Sequence, residues 1–129
     1  MMSDSFIKRK LIYNFKKERR RESRVYFNYP INYPYINDKR LDNELCKSNT
    51  APMEVIDISE YGIGFKSKIY IENNTFLSFY ISINNCIPFK CIVHIKWTGI
   101  DDNNCYAGGY FIGMDLANRD VIRQYILGY

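Results

Sequence analysis

The sequence has few of the residues from which catalytic and metal sites are built. Its one histidine is His94, and no two of its four cysteines have the two-residue spacing of a zinc knuckle or a redox pair. No nucleophile stands beside an evident base. We therefore predict no catalytic residue, no bound metal and no enzymatic activity.

Long apolar runs are also missing. Residues 1–15 carry Lys8-Arg9-Lys10 in their middle and have no continuous apolar stretch, which does not fit a secretory signal. No window reaches the length of a membrane span. Together with cysteines that fit reduced thiols, these absences predict a cytoplasmic protein.

The positive charge is confined to one end of the chain. Residues 1–24 hold nine Lys/Arg and three acids, a net charge of +6, which leaves −2 for the remainder because the total is +4. We predict a basic N-terminal arm over residues 1–18, with apolar spacings compatible with a short helix, followed by one domain over 19–129. An anionic partner would meet the arm first.

The body of the chain has the alternating pattern of β-strands. Apolar residues two apart share a face from Leu77 to Ile83 and from Phe89 to Trp97, and turn residues follow each stretch, at Asn84-Asn85 and at Asp101 to Asn104. Earlier strands are predicted over 25–36, where Pro30 and Pro34 indicate a sheet edge or a neighbouring β-bulge, and over part of 41–47.

The chain ends with a change of period. Val121, Ile122, Tyr125 and Ile126 form an apolar stripe that predicts a helix over Leu116 to Leu127, with Asn118 as its cap. Six or seven short strands closed by one helix predict an antiparallel β-barrel.

An arginine cluster lies just ahead of the first predicted strand. Arg20 and Arg24 are four residues apart, so they share a face in either a helix or a strand and can converge on one ligand. A guanidinium binds phosphate through two parallel hydrogen bonds and stacks on flat rings. Taken alone, such a run is more often a solvated basic arm.

A second polar group follows a predicted strand over 54–59. One face of this strand is expected to turn Ile56 and Ile58 towards the core, and the other to present Asp57 and Ser59 side by side. Gly62 then allows a close approach to the backbone. The carboxylate and hydroxyl can bind a guanine edge, an arginine or a phosphate. Equally, Asp57 and Ser59 fit a turn in which they cap neighbouring amides.

These two motifs, in this order, resemble the PilZ domain family. Arg20-Arg21-Glu22-Ser23-Arg24 matches its Arg-x-x-x-Arg signature, and Asp57-Ile58-Ser59-Glu60-Tyr61-Gly62 matches its Asp/Asn-x-Ser-x-x-Gly signature. Ile95-Lys96-Trp97 and the stretch from Tyr110 to Leu116 are also similar to that family. The resemblance covers roughly residues 19 to 127.

The resemblance implies an all-β fold, a six-stranded antiparallel β-barrel with a C-terminal α-helix, that binds cyclic di-GMP. It also implies the ligand-binding residues, which are Arg20, Arg24, Asp57, Ser59 and Gly62. Arg19 is a further candidate, because an arginine there accompanies an intercalated pair of ligand molecules in relatives. The expected function is a receptor and adaptor that orders its arginine arm on binding and acts on a downstream effector protein.

Two other functions stay open at this stage. A basic arm with aromatic residues is also typical of a β-barrel that binds nucleic acid, although the net negative charge of the body argues against nucleic acid as the partner. The second is a protein-interaction module that binds no nucleotide, in which the motif residues stabilise the end of the barrel.

Overall fold

The computed structural model describes residues 23–40 and 51–128, where eight strands form one antiparallel sheet and a single helix follows. The elements are β1 (Arg24–Ile31), β2 (Tyr35–Ile36), β3 (Lys39–Arg40), β4 (Met53–Ser59), β5 (Gly62–Ser67), β6 (Phe76–Ile81), β7 (Phe89–Asp101), β8 (Asn104–Phe111) and α1 (Leu116–Leu127). Outside the described residues lie the arm predicted over 1–18, the arginines Arg19 and Arg20, the strand predicted over part of 41–47, and Cys46.

The sheet confirms the predicted antiparallel PilZ-type architecture with a C-terminal helix. Its strand order is β1-β4-β5-β8-β7-β6-β2-β3. Six strands are six residues or longer, and the structure adds β2 and β3, with two residues each, which the sequence did not predict separately. The ladder of the described strands is open, with β1 and β3 at its ends. Among the described strands, β1, which begins at Arg24, lies at one end of the ladder.

The strands and turns predicted for the second half of the domain are confirmed, except at Trp97. A register shift between Ile95 and Trp97 places Trp97 on the opposite face from Ile95, so the prediction that one face extends from Phe89 to Trp97 was wrong. Leu77, Phe79 and Ile81 of β6 are buried, as are Phe89, Cys91, Val93 and Ile95 of β7. Asn84 and Asn85 have φ angles of 52° and 60°, and Asp102 and Asn103 have φ angles of 51° and 66°. Asn and Asp adopt this left-handed conformation more readily than other residues with a side chain, so they suit these turns.

The core is apolar and closely packed, and Cys91 belongs to it. The rings of Phe65 and Phe79 meet edge to face, with centroids 5.4 Å apart. Burial raises the pKa of the Cys91 thiol to about 12, because the thiolate would lose its hydration. Cys91 is therefore a protonated core residue at neutral pH and not a reactive nucleophile.

Helix α1 covers one side of the sheet with the predicted stripe. Ile122 is fully buried, and Val121, Tyr125 and Ile126 pack against the core. The predicted cap was wrong: the helix begins one residue after Asp115, so Asn118 lies inside its first turn. Within the described part of the chain, no helix is long and apolar enough to span a membrane.

Strand β4 contains a β-bulge that the sequence did not reveal. Val55 lies opposite Phe65 and Asp57 lies opposite Gly64, so Ile56 has no partner of its own in this ladder. The extra residue reverses the alternation of faces. Val55 and Ile58 are fully buried, whereas Ile56 is only half-buried. The expectation that Ile56 and Ile58 share the core face was therefore wrong.

Candidate functional site

The site begins with a buried ion pair between the first strand and the fourth. Arg24 opens β1 opposite Ser59, and its Nη1 donates a 2.9 Å hydrogen bond to Oδ1 of Asp57. The two side chains are only 3% and 6% exposed. A charge removed from water to this extent is stable only when it is paired and hydrogen-bonded. The pair therefore fixes Arg24 against β4 at the point where the chain enters the domain.

Ser59 closes the tight turn between β4 and β5. Its Oγ accepts hydrogen bonds from the backbone N–H of Gly62, at 2.9 Å, and of Tyr61, at 3.3 Å. The hydroxyl also lies 3.3 Å from the carbonyl oxygen of Gly62, to which it donates. The interpretation in which Ser59 caps neighbouring amides is thus confirmed for this residue. The motif spacing serves a structural purpose, since it joins the end of one strand to the start of the next.

Two glycines allow the ion pair to lie flat against the sheet. A Cβ at Gly62 would lie 2.9 Å from Nη2 of Arg24 and 2.6 Å from the carbonyl oxygen of Gly109. A Cβ at Gly64 would lie 2.5 Å from Oδ1 of Asp57. Both distances to the ion pair are too short for real side-chain contacts, so only glycine fits these positions. The sequence predicted Gly62, and the structure adds Gly64.

The same face of the sheet continues to an aromatic residue. Asp57 lies opposite Gly64, Gly64 lies opposite Gly108, and Gly108 lies opposite Trp97. A Cβ at Gly108 would overlap the Trp97 indole, so the ring lies over that glycine. Trp97 and the ion pair therefore share a face with Gly62, Gly64 and Gly108, which we call the glycine floor. The sequence does not identify Trp97 as a site residue, because the strand register that brings it there is not visible in the sequence.

Helix α1 supports the turn from outside. Nε and Nη2 of Arg123 donate to the two carboxylate oxygens of Glu60, at 3.0 and 3.1 Å. The guanidinium of Arg119 lies over the Tyr61 ring, 4.9 Å from its centroid. Glu60 and Tyr61 are the two unspecified positions between the Ser and the Gly of the Asp-x-Ser-x-x-Gly motif. No sequence signal marks these contacts, because the partners are about sixty residues apart.

The Glu60–Arg123 contact makes part of the stability dependent on pH. The hydrogen bonds from Arg123 lower the pKa of Glu60, and partial burial opposes them only weakly. A carboxylate whose pKa is lower in the folded state stabilises the protein above its unfolded pKa, about 4.3, and loses that effect as the pH falls through the folded value.

We expect Glu60→Gln to lower the melting temperature at pH 7, where the carboxylate of the wild type is charged and bound to Arg123. The difference from wild type should shrink below about pH 4. Thermal unfolding between pH 7 and pH 3 measures both effects. Glu72→Gln, which removes an exposed carboxylate from the loop between β5 and β6, is the matched control. A Glu60→Gln deficit of the same size at every pH would contradict this assignment.

The comparisons with known proteins identify the family of this chain. The sequence model of the PilZ domain matches residues 18–128. The chain belongs to the PilZ domain family. No curated protein matches this chain in sequence.

The fold is also similar to that of a solved structure. The structure of the Bacillus subtilis inhibitor of motility, MotI/DgrA, superposes with a TM-score of 0.61 at 10% sequence identity. The match covers 85% of this chain and 50% of that one, so this chain spans about half the length of that protein. At this identity the likeness shows the fold alone.

The PilZ family is known for binding cyclic di-GMP, and its domains are binding modules. Of the predicted ligand-binding residues, the structure brings together Arg24, Asp57, Ser59 and Gly62. Arg19 and Arg20 lie outside the described residues. In residues 23–40 and 51–128, no three His, Cys, Asp or Glu side chains cluster in a way that could hold a metal ion.

Proposed function

We propose that this protein is a cyclic di-GMP receptor that orders its N-terminal arginine arm around the ligand. The surface formed in this way would bind a downstream effector protein. The buried Arg24–Asp57 pair is the observation that carries the proposal. It fixes the C-terminal end of the Arg-x-x-x-Arg motif to the strand that carries the second motif. Arg20, the other arginine of that motif, is four residues earlier in the sequence.

The chemistry of the ligand fits these residues. Cyclic di-GMP has two phosphates and two guanines. An arginine reads guanine O6 and N7 with two hydrogen bonds, binds a phosphate in the same way, and stacks on a purine. Trp97, on the same face as the Arg24–Asp57 pair, offers a flat apolar surface beside it.

The roles proposed for the two smaller motif residues are indirect. The Ser59 hydroxyl donates within the turn and accepts from two backbone amides there, and the residue is fully buried. We therefore assign it to shaping the turn and not to reading a base. Gly62 provides the space in which the Arg24 guanidinium lies.

The arm residues provide the most direct test of the site. Arg20→Ala is expected to weaken the binding of cyclic di-GMP by at least ~2 kcal/mol, roughly 30-fold, because a charged hydrogen-bonding partner is lost. Arg21→Ala removes the same charge from the neighbouring position and is expected to change the affinity less than about threefold. Titration calorimetry at fixed ionic strength measures both. Equal losses in the two variants would indicate charge attraction alone and would contradict the assignment of Arg20.

The ordering of the arm is tested separately. Residues 1–24 carry a net charge of +6, and a polar segment of this kind gains order mainly through its partner. Fixing about ten residues costs on the order of 1–2 kcal/mol each, which would offset much of the gross binding energy. We expect cyclic di-GMP to slow hydrogen exchange in residues 10–24. Exchange at the same rate with and without the ligand would rule out the switch.

One observation favours a different function. In this structure Arg24 and Asp57 contact each other and Ser59 serves its own turn, as expected of a protein-interaction module that binds no nucleotide. Such a module predicts no heat of binding with cyclic di-GMP at any concentration. A nucleic-acid-binding barrel predicts instead a steep dependence on salt and no preference for the cyclic dinucleotide.

A further inference from the structure

Large apolar side chains lie exposed on one face of the sheet, away from the glycine floor. Their exposed fractions run from 39% to 61%, and we call them the apolar face: Tyr35, Phe76, Tyr80, Ile92 and Ile112. The strand register makes them neighbours. Tyr35 lies opposite Ser78, which lies opposite Ile92, and the backbone N–H of Ile112 donates to the carbonyl of Ile92. The face therefore crosses strands β2, β6 and β7 and continues past the end of β8.

The exposure of these residues is a property of the fold. On β6 and β7 they alternate with the fully or nearly fully buried residues Leu77, Phe79, Cys91 and Val93, so they point away from the core. Phe76 stacks on His94 with ring centroids 4.6 Å apart, which holds both rings in place. Positions of this kind are ordinarily polar in a sheet with one solvated face. Several apolar side chains together on such a face mark an interaction site.

A depression at one side of the apolar face can receive a side chain. Its volume is about 130 Å³, and Ile92, Ile112 and Met114 contribute its apolar wall. Lys90 and Asp115 also line the depression. The volume is well above the roughly 10–15 Å³ that one water molecule needs. Interfaces commonly take much of their affinity from one buried anchor of this kind.

The charge beside the apolar face indicates the partner. Lys90 and Lys96 are exposed on the same side of β7 as Ile92, and Lys90 lies opposite Tyr80. A partner that buried the apolar residues would place the edge of its own interface next to these ammonium groups. Carboxylates at that edge would complement the positive charge.

We propose that the apolar face is the docking site for an effector protein that presents an apolar side chain flanked by carboxylates. One row of paired residues joins this face to the glycine floor: Phe76 lies opposite His94, His94 opposite Tyr110, and Tyr110 opposite Gly62. A ligand on that floor would lie beside a docked partner. The link between ligand and partner rests on the proposed function, whereas the docking face itself does not.

The test uses the full chain and an acidic polymer as the probe. A random glutamate–tyrosine copolymer offers carboxylates and apolar rings, and polyglutamate of equal length offers carboxylates alone. We expect the wild type to bind the copolymer at least tenfold more tightly than polyglutamate at 0.15 M salt. The difference reports the apolar contribution, because any attraction to the basic arm is common to both polymers.

Two variants test the apolar side chains and the charge separately. Tyr80→Ser/Ile92→Ser is expected to abolish the preference for the copolymer. Lys90→Glu is expected to weaken the binding of both polymers at least threefold. Tyr70→Ser, which removes an exposed tyrosine from the loop between β5 and β6, should leave both affinities within twofold. Melting temperatures confirm that the variants are folded.

An undiminished preference for the copolymer in Tyr80→Ser/Ile92→Ser overturns the proposal. The proposal is also overturned if the wild type binds oligouridylate and Tyr80→Ser/Ile92→Ser does not, because the face would then recognise nucleic acid. Cyclic di-GMP is titrated into each protein in parallel. Loss of the copolymer preference in a protein whose affinity for the dinucleotide is unchanged supports the docking face. If the wild type binds no dinucleotide but prefers the copolymer, and Tyr80→Ser/Ile92→Ser loses that preference, the proposed function is wrong and the docking face is supported.

Discussion

Arg24→Ala is expected to lower the free energy of unfolding by about 3–5 kcal/mol and to reduce the binding of cyclic di-GMP below detection. Asp57 would keep its buried position, at 5% exposure, without the guanidinium that neutralises it. Removing one partner of a buried pair leaves an uncompensated charge in a medium that solvates it poorly. Urea unfolding monitored by circular dichroism measures the first effect, and calorimetric titration the second.

A double variant separates the two roles of Arg24. Replacement of both partners of a buried pair by apolar residues of similar size is often neutral for stability. Arg24→Met/Asp57→Leu is therefore expected to recover most of the stability lost in Arg24→Ala and none of the nucleotide binding. Wild-type stability in the single variant would contradict the importance of the pair. Nucleotide binding by the double variant would exclude the pair from the site.

Gly62→Ala is expected to lower the free energy of unfolding by about 1–3 kcal/mol, the usual cost of overpacking, and to weaken nucleotide binding. The new methyl would meet the carbonyl oxygen of Gly109 at 2.6 Å. That carbonyl belongs to β8, whose pairing with β5 limits its movement. The methyl would also displace the Arg24 guanidinium, whose Nη2 lies 2.9 Å from its position. Urea unfolding and calorimetric titration check both outcomes.

Gly128→Ala is the matched control for this substitution. The nearest heavy atom to its added methyl is 3.4 Å away, and φ is −82°, a conformation open to alanine. We expect its stability and nucleotide affinity to stay close to the wild type. A Gly62→Ala variant that behaved like Gly128→Ala would show that β8 and Arg24 can move aside at little cost. The close packing inferred for the site would then be wrong.

The sequence pattern predicted those strands, turns and helical faces that depend only on residues close together in the sequence. The alternation from Leu77 to Ile83 reports a strand with one buried face, and Asn84-Asn85 reports the turn that follows. The stripe in α1 reports the side that packs on the sheet. These signals are local because a side chain's direction follows from the backbone period.

The features that the sequence did not reveal depend on pairing between distant strands. The bulge at Ile56 changes which residues of β4 are buried, and nothing in the local pattern marks it. Trp97 reaches the face of Asp57 through the register of three strand pairs. The helix contact of Glu60 joins residues 63 apart in the chain. Register and packing are properties of the whole sheet, so a single sequence leaves them undetermined.

The candidate site shows the same division. The two motifs identified Arg24, Asp57, Ser59 and Gly62 as one group, and the structure places them in contact across β1, β4 and β5. The sequence suggested that a carboxylate and a hydroxyl would face the ligand together. The structure shows that the Ser59 hydroxyl forms its hydrogen bonds within its own turn.

Calorimetric titration of the full wild-type chain shows whether this protein binds cyclic di-GMP. We expect saturable binding of cyclic di-GMP, with a stoichiometry that reports one ligand or an intercalated pair. GMP, which offers a single guanine and a single phosphate, should bind at least tenfold more weakly. Absence of binding to cyclic di-GMP, or equal affinity for GMP, would rule out the proposed function.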